Sequence, residues 1–453
     1  MELQVLGKTE IYLRLIEEVL KKGKSAIVLV PEISLTPQMV DRFLARFGEN
    51  IAVLHSKLSI GERYDEWNRI LKDEAKIVIG ARSAIFAPVK KIGIIIIDEE
   101  HDMSYKSDMT PRYNAKDLAK YIAKSNNCPL VLGSATPDIV TFWESEQEKI
   151  NRFTLRKRAG EAKLPEIEMV DLRQELANGN KSMISSRLKE EIEKNINNKK
   201  QTMLFLNRRG YSTFIMCRDC GYTAKCQNCN ISLTYHKFEN KLKCHYCGFE
   251  MNSLAECPEC KSKNIKYFGT GTQKLEDEVK KIFPGVTTIR MDIDTVTKKN
   301  SHEEILNKFR NENINILIGT QMIVKGHHFP NVTLVGVIAA DSSLNIDDFR
   351  GAERTFQTIV QAAGRAGREK EDGRVIIQTY NPDSYAITYA KDQDYYSFYN
   401  TEVNLRKVLK YPPFCDIILI RFSGVDINEI KKASNFLYKN LKKYIENRKR
   451  NNF

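Results

Sequence analysis

At 453 residues, with 42% hydrophobic and 28% charged positions, the chain is too long for one ordinary core and reads as a folded protein of two or three domains. The net charge of +13 points to a polyanionic partner, most simply nucleic acid, with bare solubility or a lysine-rich proteome as the plainer readings. No apolar run reaches the roughly 18 residues of a membrane helix, and MELQVLGKTE has an acid early and no apolar stretch of a secretory signal, so the expected compartment is the cytoplasm.

In chain order, Gly7-Lys8-Thr9 is the tail of a phosphate loop, G-x-x-x-x-G-K-[ST], in which a lysine and a hydroxyl opening a helix hold phosphates and Mg²⁺. The pattern is broken. Glu2 stands where the first glycine belongs, Leu3 to Leu6 fill the loop, and no strand precedes it. Backbone amides of a glycine-rich turn do most of the cradling, so GKT by chance is the competing explanation. A helix is expected to follow, with Ile11-Tyr12-Leu13, Leu15-Ile16 and Val19-Leu20 on its apolar face.

Ala26–Val30 and Lys76–Gly80 are buried-strand candidates, the second followed by Ala81-Arg82-Ser83. Helical patterns intervene at Gln38–Phe47 and Gly61–Leu71. Ile92–Asp102, IGIIIIDEEHD, is the segment around which the rest is organised. Its unbroken apolar run fits a strand buried on both faces of a parallel sheet. The acidic cluster then falls at the C-terminal strand edge, where ligands sit in open α/β sheets. Paired carboxylates there can hold Mg²⁺ and orient water, as a nucleotide phosphatase requires; the bland reading is a solvated acidic turn. Leu130–Gly133 is a further strand, leading into Ser134-Ala135-Thr136-Pro137. The alternation predicts a parallel α/β sheet with one functional edge.

From Ile150 to Lys199 the sequence is charged and irregular, with an edge strand expected over Glu166–Leu172 and a helix over Ser185–Asn195 that Ser186 is placed to cap. Thr202–Leu206 restarts the buried-strand pattern. Four C-x-x-C pairs then interrupt it: Cys217 and Cys220, Cys226 and Cys229, Cys244 and Cys247, Cys257 and Cys260. Eight thiolates suffice for two tetrahedral zinc sites, and such clustering reads as metal rather than disulfide. Spacing leaves open which pairs share an ion. His236 and His245 are possible substitute ligands, though eight cysteines make them bystanders.

Beyond the cysteines, a helix at Gln273–Ile282 and strands at Thr287–Met291, Ile314–Gly319, Val332–Ala340 and Val375–Thr379 resume the α/β rhythm. A helix-like Thr355–Val360 precedes Gln361-Ala362-Ala363-Gly364-Arg365-Ala366-Gly367-Arg368, where two arginines among small residues can aim bidentate donors at a phosphate. A tyrosine-rich helical stretch runs to Lys410, with a strand expected at Asp416–Phe422 and a basic helix at Glu429–Lys443.

DEEH at Asp98–His101, SAT at Ser134–Thr136, the TQM-x-x-KG-x-x-F run at Thr320–Phe329, the arginine motif at Gln361–Arg368 and YPPF at Tyr411–Phe414 together resemble the superfamily-2 helicases of the DEEH type, and among them the primosomal, replication-restart DNA helicases. The cysteine insertion is the most specific element of the likeness. The resemblance implies an α/β fold of two RecA-like parallel-sheet lobes with a two-zinc insertion in the second. The corresponding domains are lobe 1 at 1-150, a connection at 151-200, lobe 2 at 201-216 and 262-382, the zinc insertion at 217-261, and a partial C-terminal domain at 383-453.

It also implies residue roles. Gly7, Lys8, Thr9 and Gln361 would bind the nucleotide, with Lys8 and Thr9 at the phosphates and Mg²⁺. Asp98 would hold Mg²⁺, Glu99 would orient the attacking water, and Arg365 and Arg368 would reach the γ-phosphate from the opposite lobe. Arg82, Ser83 and Thr320 would touch the DNA backbone, and the loop Tyr105–Asn114 would couple DNA contact to hydrolysis through stacking on Tyr105 and cation contacts by Lys106 and Arg112. In the resembled family the outer cysteine pairs share one zinc (Cys217, Cys220, Cys257, Cys260) and the inner pairs the other (Cys226, Cys229, Cys244, Cys247).

The implied activity is ATP-dependent 3′-to-5′ DNA translocation and unwinding in restart of stalled forks. Its implied partners are single-stranded and forked DNA, ATP, single-strand-binding protein and primosome components, with no membrane. The lost leading glycines, absent N-terminal DNA-binding domains and short C-terminal domain imply a fragment or an interrupted reading frame. Two rivals stand beside this reading: a catalytically inactive zinc-containing module for DNA or protein binding, and an RNA helicase on the same core, because backbone contacts alone do not separate DNA from RNA.

Overall fold

The computed structural model describes residues 7–31, 37–56, 58–155, 165–206, 214–236, 238–268, 271–292, 295, 301–324, 329–367 and 372–450. By its internal contacts the chain divides into two units, Met1–Leu405 and Arg406–Phe453.

The first part of the larger unit comprises α1 (Lys8–Lys21), β1 (Ser25–Leu29), α2 (Pro37–Phe47), β2 (Ile51–Leu54), α3 (Ile60–Leu71), β3 (Ile77–Gly80), β4 (Ile92–Asp98), α4 (Ala115–Ser125), β5 (Leu130–Gly133) and α5 (Ile139–Glu146). Its five strands are all parallel, in the order β2-β3-β1-β4-β5. The isoleucine run of β4 now has a physical account. Ile95 and Ile97 enter one hydrophobic cluster with Ile27, Leu29 and Ala119, and Ile94 and Ile96 enter the cluster on the other side with Val28, Tyr12 and Ile16. Period-two alternation thus delivers every side chain of the run to one of two cores. On α1, Tyr12, Leu13 and Ile16 face that second cluster, one apolar stripe of an amphipathic helix. Ser59 and Glu62 form a reciprocal capping box at the start of α3.

The second part continues with β6 (Glu166–Asp171), α6 (Leu172–Ala177), α7 (Ser186–Asn197) and β7 (Gln201–Leu206). The chain then leaves the sheet on β8 (Phe214–Cys217), forms a small antiparallel sheet of β9 (Thr234–His236), β10 (Lys241–Lys243) and β11 (Glu250–Asn252), and returns on β12 (Ile265–Phe268), antiparallel to β8. It resumes with α8 (Thr272–Ile282), β13 (Thr288–Met291), α9 (Ser301–Asn311), β14 (Ile316–Gly319), α10 (Gln321–Val324), β15 (Val332–Ile338), α11 (Asp341–Leu344), α12 (Gly351–Ala363), β16 (Arg374–Thr379), α13 (Tyr385–Lys391) and α14 (Tyr395–Leu409). This sheet is six-stranded and parallel, in the order β13-β14-β7-β15-β16-β6. The two sheets with their flanking helices are the two RecA-like lobes, and Glu166–Asp171 takes the edge position its mixed sequence implies. The cap of α7 corrects the sequence reading: Ser185, one residue earlier than expected, accepts from the Leu188 amide at 3.2 Å, while Ser186 is already helical and binds Glu175.

The smaller unit carries the end of α14, the Tyr411–Phe414 punctuation and α15 (Ile427–Arg450). The strand expected at Asp416–Phe422 does not form; these residues are irregular, with Ile418 85% and Leu419 68% exposed. An apolar, β-branched run specifies a strand only when a neighbouring edge accepts its backbone bonds. Among the described residues no helix is long and apolar enough to cross a membrane.

Phe205 lies fully buried on β7, between β14 and β15. Phe205→Ala is expected to cost about 3–5 kcal/mol, read as a lowered urea midpoint with an unchanged slope.

Candidate active site and zinc centres

The strand order places the end of β4 beside the start of α1. The Lys8 ammonium reaches Glu99 Oε1 at 2.6 Å and Asp98 Oδ1 at 3.2 Å. Tyr12, one turn further along α1, donates its hydroxyl to Asp98 Oδ1 at 2.9 Å. Burial works against the charge on Lys8, yet Glu99 and Asp98 outweigh it and hold its pKa above the ordinary lysine value. Burial likewise opposes ionisation of Glu99, and Lys8, His101 and Arg365 outweigh it, holding the carboxyl below its usual range. Glu99 adopts φ 46°, the left-handed region, as the chain turns off the strand. The sheet end is also closely fitted, since a Cβ at Gly133 would meet the Tyr12 hydroxyl at 1.7 Å. Gly7 is the N-cap of α1 and supplies no side-chain bond. The first-turn amides of such a helix are ready anion donors, and Thr9 is its second residue.

The other half of the acidic motif does different work. Glu100 is 3% exposed; its Oε2 accepts from Lys116 at 2.9 Å and Thr141 at 3.0 Å, and its Oε1 accepts from the Asp138 amide at 2.8 Å. It is a positioning residue for the turn that follows β5. His101 lies between the lobes: Nδ1 is 2.7 Å from Ser134 Oγ, and Nε2 is 2.7 Å from the Gln361 amide nitrogen on α12. The same face of α12 makes two further contacts with lobe 1. Glu353 Oε1 accepts from the Ile139 amide at 2.9 Å, and the Gln357 amide nitrogen donates to Thr136 O at 3.4 Å. Arg365 follows Gly364, the C-cap of α12, close enough to stabilise the charge on Glu99. Arg368 lies outside the described residues. Sequence reasoning missed Tyr12, Glu353 and Gln357; the i, i+4, i+8 spacing of residues 353, 357 and 361 was the available signal.

The residues assigned to DNA gather elsewhere. Arg82 Nη1 donates to the carbonyls of Ser104 at 3.1 Å and Lys106 at 2.6 Å, and its guanidinium sits 5.6 Å from the Tyr113 ring centroid. Ser83, Lys106 and Arg112 are exposed. Thr320 closes β14 and is buried, its amide bonded to Met291 O. Tyr105 corrects the stacking expectation: it is 2% exposed, and its hydroxyl lies 2.6 Å from the Asp98 carbonyl, which takes its one proton, and 3.1 Å from that of Leu29. Its ring belongs to the core beneath the acidic motif, where an aromatic with a polar tip can satisfy a strand-end carbonyl. A cavity of about 580 Å³ opens beside this loop, lined from lobe 1 by Arg82 and Lys106 and from lobe 2 by Arg350 and Arg354. Both lobe 2 arginines pair with Asp348. Burial would raise its carboxyl, but Arg350 and Arg354 outweigh that and hold it down at about 2.

The cysteines form two sets of four whose sulfurs all lie within 4.8 Å of one another: Cys217, Cys220, Cys257 and Cys260, and Cys226, Cys229, Cys244 and Cys247. Neighbouring sulfurs are 3.5–3.6 Å apart, near the roughly 3.8 Å that bonds of about 2.3 Å at tetrahedral angles give. No disulfide links the described cysteines. In every knuckle the residue after the second cysteine has positive φ and donates its amide back to the first cysteine's carbonyl: Gly221, Asn230, Gly248 and Lys261. The donor sets fit two structural zinc ions. His236 and His245 stand outside both sets and face each other, Nε2 to Nε2 at 3.1 Å, with His245 Nδ1 2.9 Å from Asp347.

Residues 6–142 match the DEAD/DEAH box helicase family, residues 226–251 the PriA DNA helicase Cys-rich region domain, and residues 254–370 the helicase conserved C-terminal domain. The chain is 52% identical over 428 residues to replication restart protein PriA of Bacillus subtilis, covering 94% of this chain and 53% of that protein. To the protein of the same name from Synechocystis it is 45% identical over 437 residues, covering 94% and 52%. The chain thus spans about half the length of these curated relatives. Among solved structures, RecG bound to a three-way DNA junction shares the fold with a TM-score of 0.51 at 12% identity, covering 96% of this chain and 46% of that one.

Purified chain is expected to hold two zinc ions by elemental analysis, and Cys257→Ser to hold one. The low pKa of Asp348 stabilises the fold wherever the unfolded group is also ionised, above about pH 4, and this contribution is lost as pH falls toward 2. Asp348→Asn should therefore melt below the unchanged chain at pH 7, with the gap closing between about pH 4 and pH 2.

Proposed function

Because the chain belongs to the family of replication restart protein PriA, we propose that it is an ATP-driven DNA helicase that moves 3′-to-5′ and serves restart of stalled replication forks. The observation that carries this reading is the convergence of Lys8, Asp98 and Glu99 at one strand edge, joined through His101 to Gln361 of the opposite lobe. The donor set fits MgATP. Hard carboxylate oxygens, a hydroxyl and an ammonium at a helix N-terminus are what Mg²⁺ and phosphate oxygens select.

Bound MgATP supplies the γ-phosphate to be transferred to water. Lys8 and Thr9 would then hold phosphates and metal, with Lys8 exchanging its carboxylate partners for phosphate oxygens. Asp98 would hold the metal and Glu99 would orient the attacking water. Arg365 and Arg368 would neutralise charge from lobe 2. Since Gln361 and both arginines sit at or after the end of α12, closing on nucleotide moves that helix, and its Glu353 and Gln357 contacts carry the motion to the Thr136–Ile139 turn. Arg82, Ser83, Lys106, Arg112 and Thr320 are proposed to meet the DNA backbone; single-strand-binding protein and primosome components are proposed partners.

A second reading, a zinc-containing binding module without turnover, is favoured by one observation: Glu2 stands at the first glycine position of the phosphate loop. One experiment separates the two. ATP hydrolysis by folded, zinc-loaded chain is measured with and without single-stranded DNA, beside Asp98→Asn. DNA-stimulated turnover at least 100-fold above the variant is expected; turnover equal to the variant's removes the motor and leaves the module.

A further inference from the structure

The start of α12 brings two guanidiniums to the wall of the cleft. Arg350 binds Asp348 through Nε at 2.9 Å and Nη2 at 2.7 Å, and Arg354 binds the same carboxylate at 2.8 Å. Asp348 is shared between the two guanidiniums, and Glu353, whose charge also acts on Arg350, is turned to the Ile139 amide. Both arginines line the cavity opposite Arg82 and Lys106, and Asp108 supplies the one negative charge among its lining residues. The third nitrogen of Arg350, Nη1, crosses the lobe boundary to Met103 Sδ at 3.3 Å. A thioether is a weak acceptor, and a phosphate oxygen offers that donor a stronger, charge-assisted bond.

The segment before these arginines is clasped by the zinc insertion. Ser232 Oγ is 3.5 Å from Asn345 Oδ1, Thr234 Oγ1 and His245 Nδ1 both reach Asp347 Oδ2, at 3.3 and 2.9 Å, and Phe349 packs on the cluster that contains Cys217, Cys226, Cys244 and Cys257. The Arg350 guanidinium then lies 5.3 Å from the Phe349 ring centroid. Its direction into the cleft is therefore set by side chains that the insertion holds.

We propose that Arg350 and Arg354 are DNA-contacting residues of lobe 2, which with Arg82 and Lys106 cradle the phosphodiester backbone of a single strand, and that the zinc insertion positions them through Asn345–Phe349. This rests on the DNA-binding reading above and adds to it two lobe 2 residues beyond Thr320 and a use for the zinc centres.

The test is binding of a fluorescent oligodeoxythymidylate by the full zinc-loaded chain across a salt series. In Arg350→Gln and Arg354→Gln the slope of log affinity against log salt falls by about 0.7 per residue. Lys189→Gln, which removes an exposed helical charge remote in sequence, leaves the slope unchanged. Arg350→Lys and Arg354→Lys keep the slope but lose affinity several-fold, because an ammonium lacks the planar fork; they also carry the test if the glutamine variants fold poorly. Asp347→Ala, with both zinc ions retained, weakens binding several-fold. Unchanged slopes in both glutamine variants, while the parent chain binds, overturn the cradle and leave the helicase reading intact, and an equal fall in Lys189→Gln reduces it to diffuse charge. Absence of binding by the parent chain overturns both.

Discussion

An ammonium held against two carboxylates at the end of one buried strand is the constraint from which the first lobe's geometry follows. Burying an ion pair gains little stability, since the cost of removing both charges from water offsets most of their attraction. Its position is therefore better understood from below. Four isoleucines must be divided between two cores, so β4 lies in the sheet interior with β1 and β5 as its neighbours. Its polar continuation can emerge only at the sheet's C-terminal edge, and the left-handed turn at Glu99 aims the second carboxylate back across that edge. Tyr12 and Lys8, one helical turn apart, are brought to the same edge because Tyr12 and Ile16 are anchored in the core below.

The second lobe meets that edge through one helix. Three polar side chains on a single stripe of α12 bind a histidine, a carbonyl and an amide of lobe 1. Each is a hydrogen bond worth on the order of 1 kcal/mol net. Such bonds set register at the margin of an apolar contact, since the same turn leads into α5, whose Ile139 and Phe142 are buried in the lobe 2 core beside Phe356 and Tyr399. The cavity beside Arg82 and Lys106 lies at the same lobe boundary.

Much of this was legible in the sequence because the strongest signals are local. An apolar run of five to seven residues bounded by polar turns marks an interior parallel strand, and the strands at Ser25–Leu29, Ile92–Asp98 and Gln201–Leu206 fall where that pattern puts them. Cysteine spacing revealed the knuckles, and the structure adds why glycine or asparagine follows three of the four second cysteines: the turn needs positive φ there. What was illegible depends on long-range partners. Tyr105 reads as an exposed aromatic among polar residues until the strand-end carbonyls above it are known. Asp416–Phe422 has strand composition without a neighbouring edge. Glu353 and Gln357 are unremarked until α12 is laid against the turn after β5. Ser185 and Ser186 are equally good caps in sequence, and a distant Gln378, which binds the Ser185 amide, favours the first.

The outer zinc site has a consequence for how lobe 2 assembles. It joins Cys217 to Cys260 at the base of the insertion, where β8 and β12 run antiparallel. Without that closure, the strands on either side of the insertion, β7 and β14, find each other across a long flexible excursion. Pinching off roughly 40 residues shortens that connection from about 110 residues to about 70, which lowers its closure cost by only about 0.4 kcal/mol. What then remains between Thr202–Phe205 and its parallel partner Ile316–Gly319 is the ordinary crossover of α8, β13 and α9. The main effect of metal uptake is therefore on the insertion itself, whose folding is coupled to the ion, and the parent sheet receives it as a preformed excursion anchored at β8 and β12.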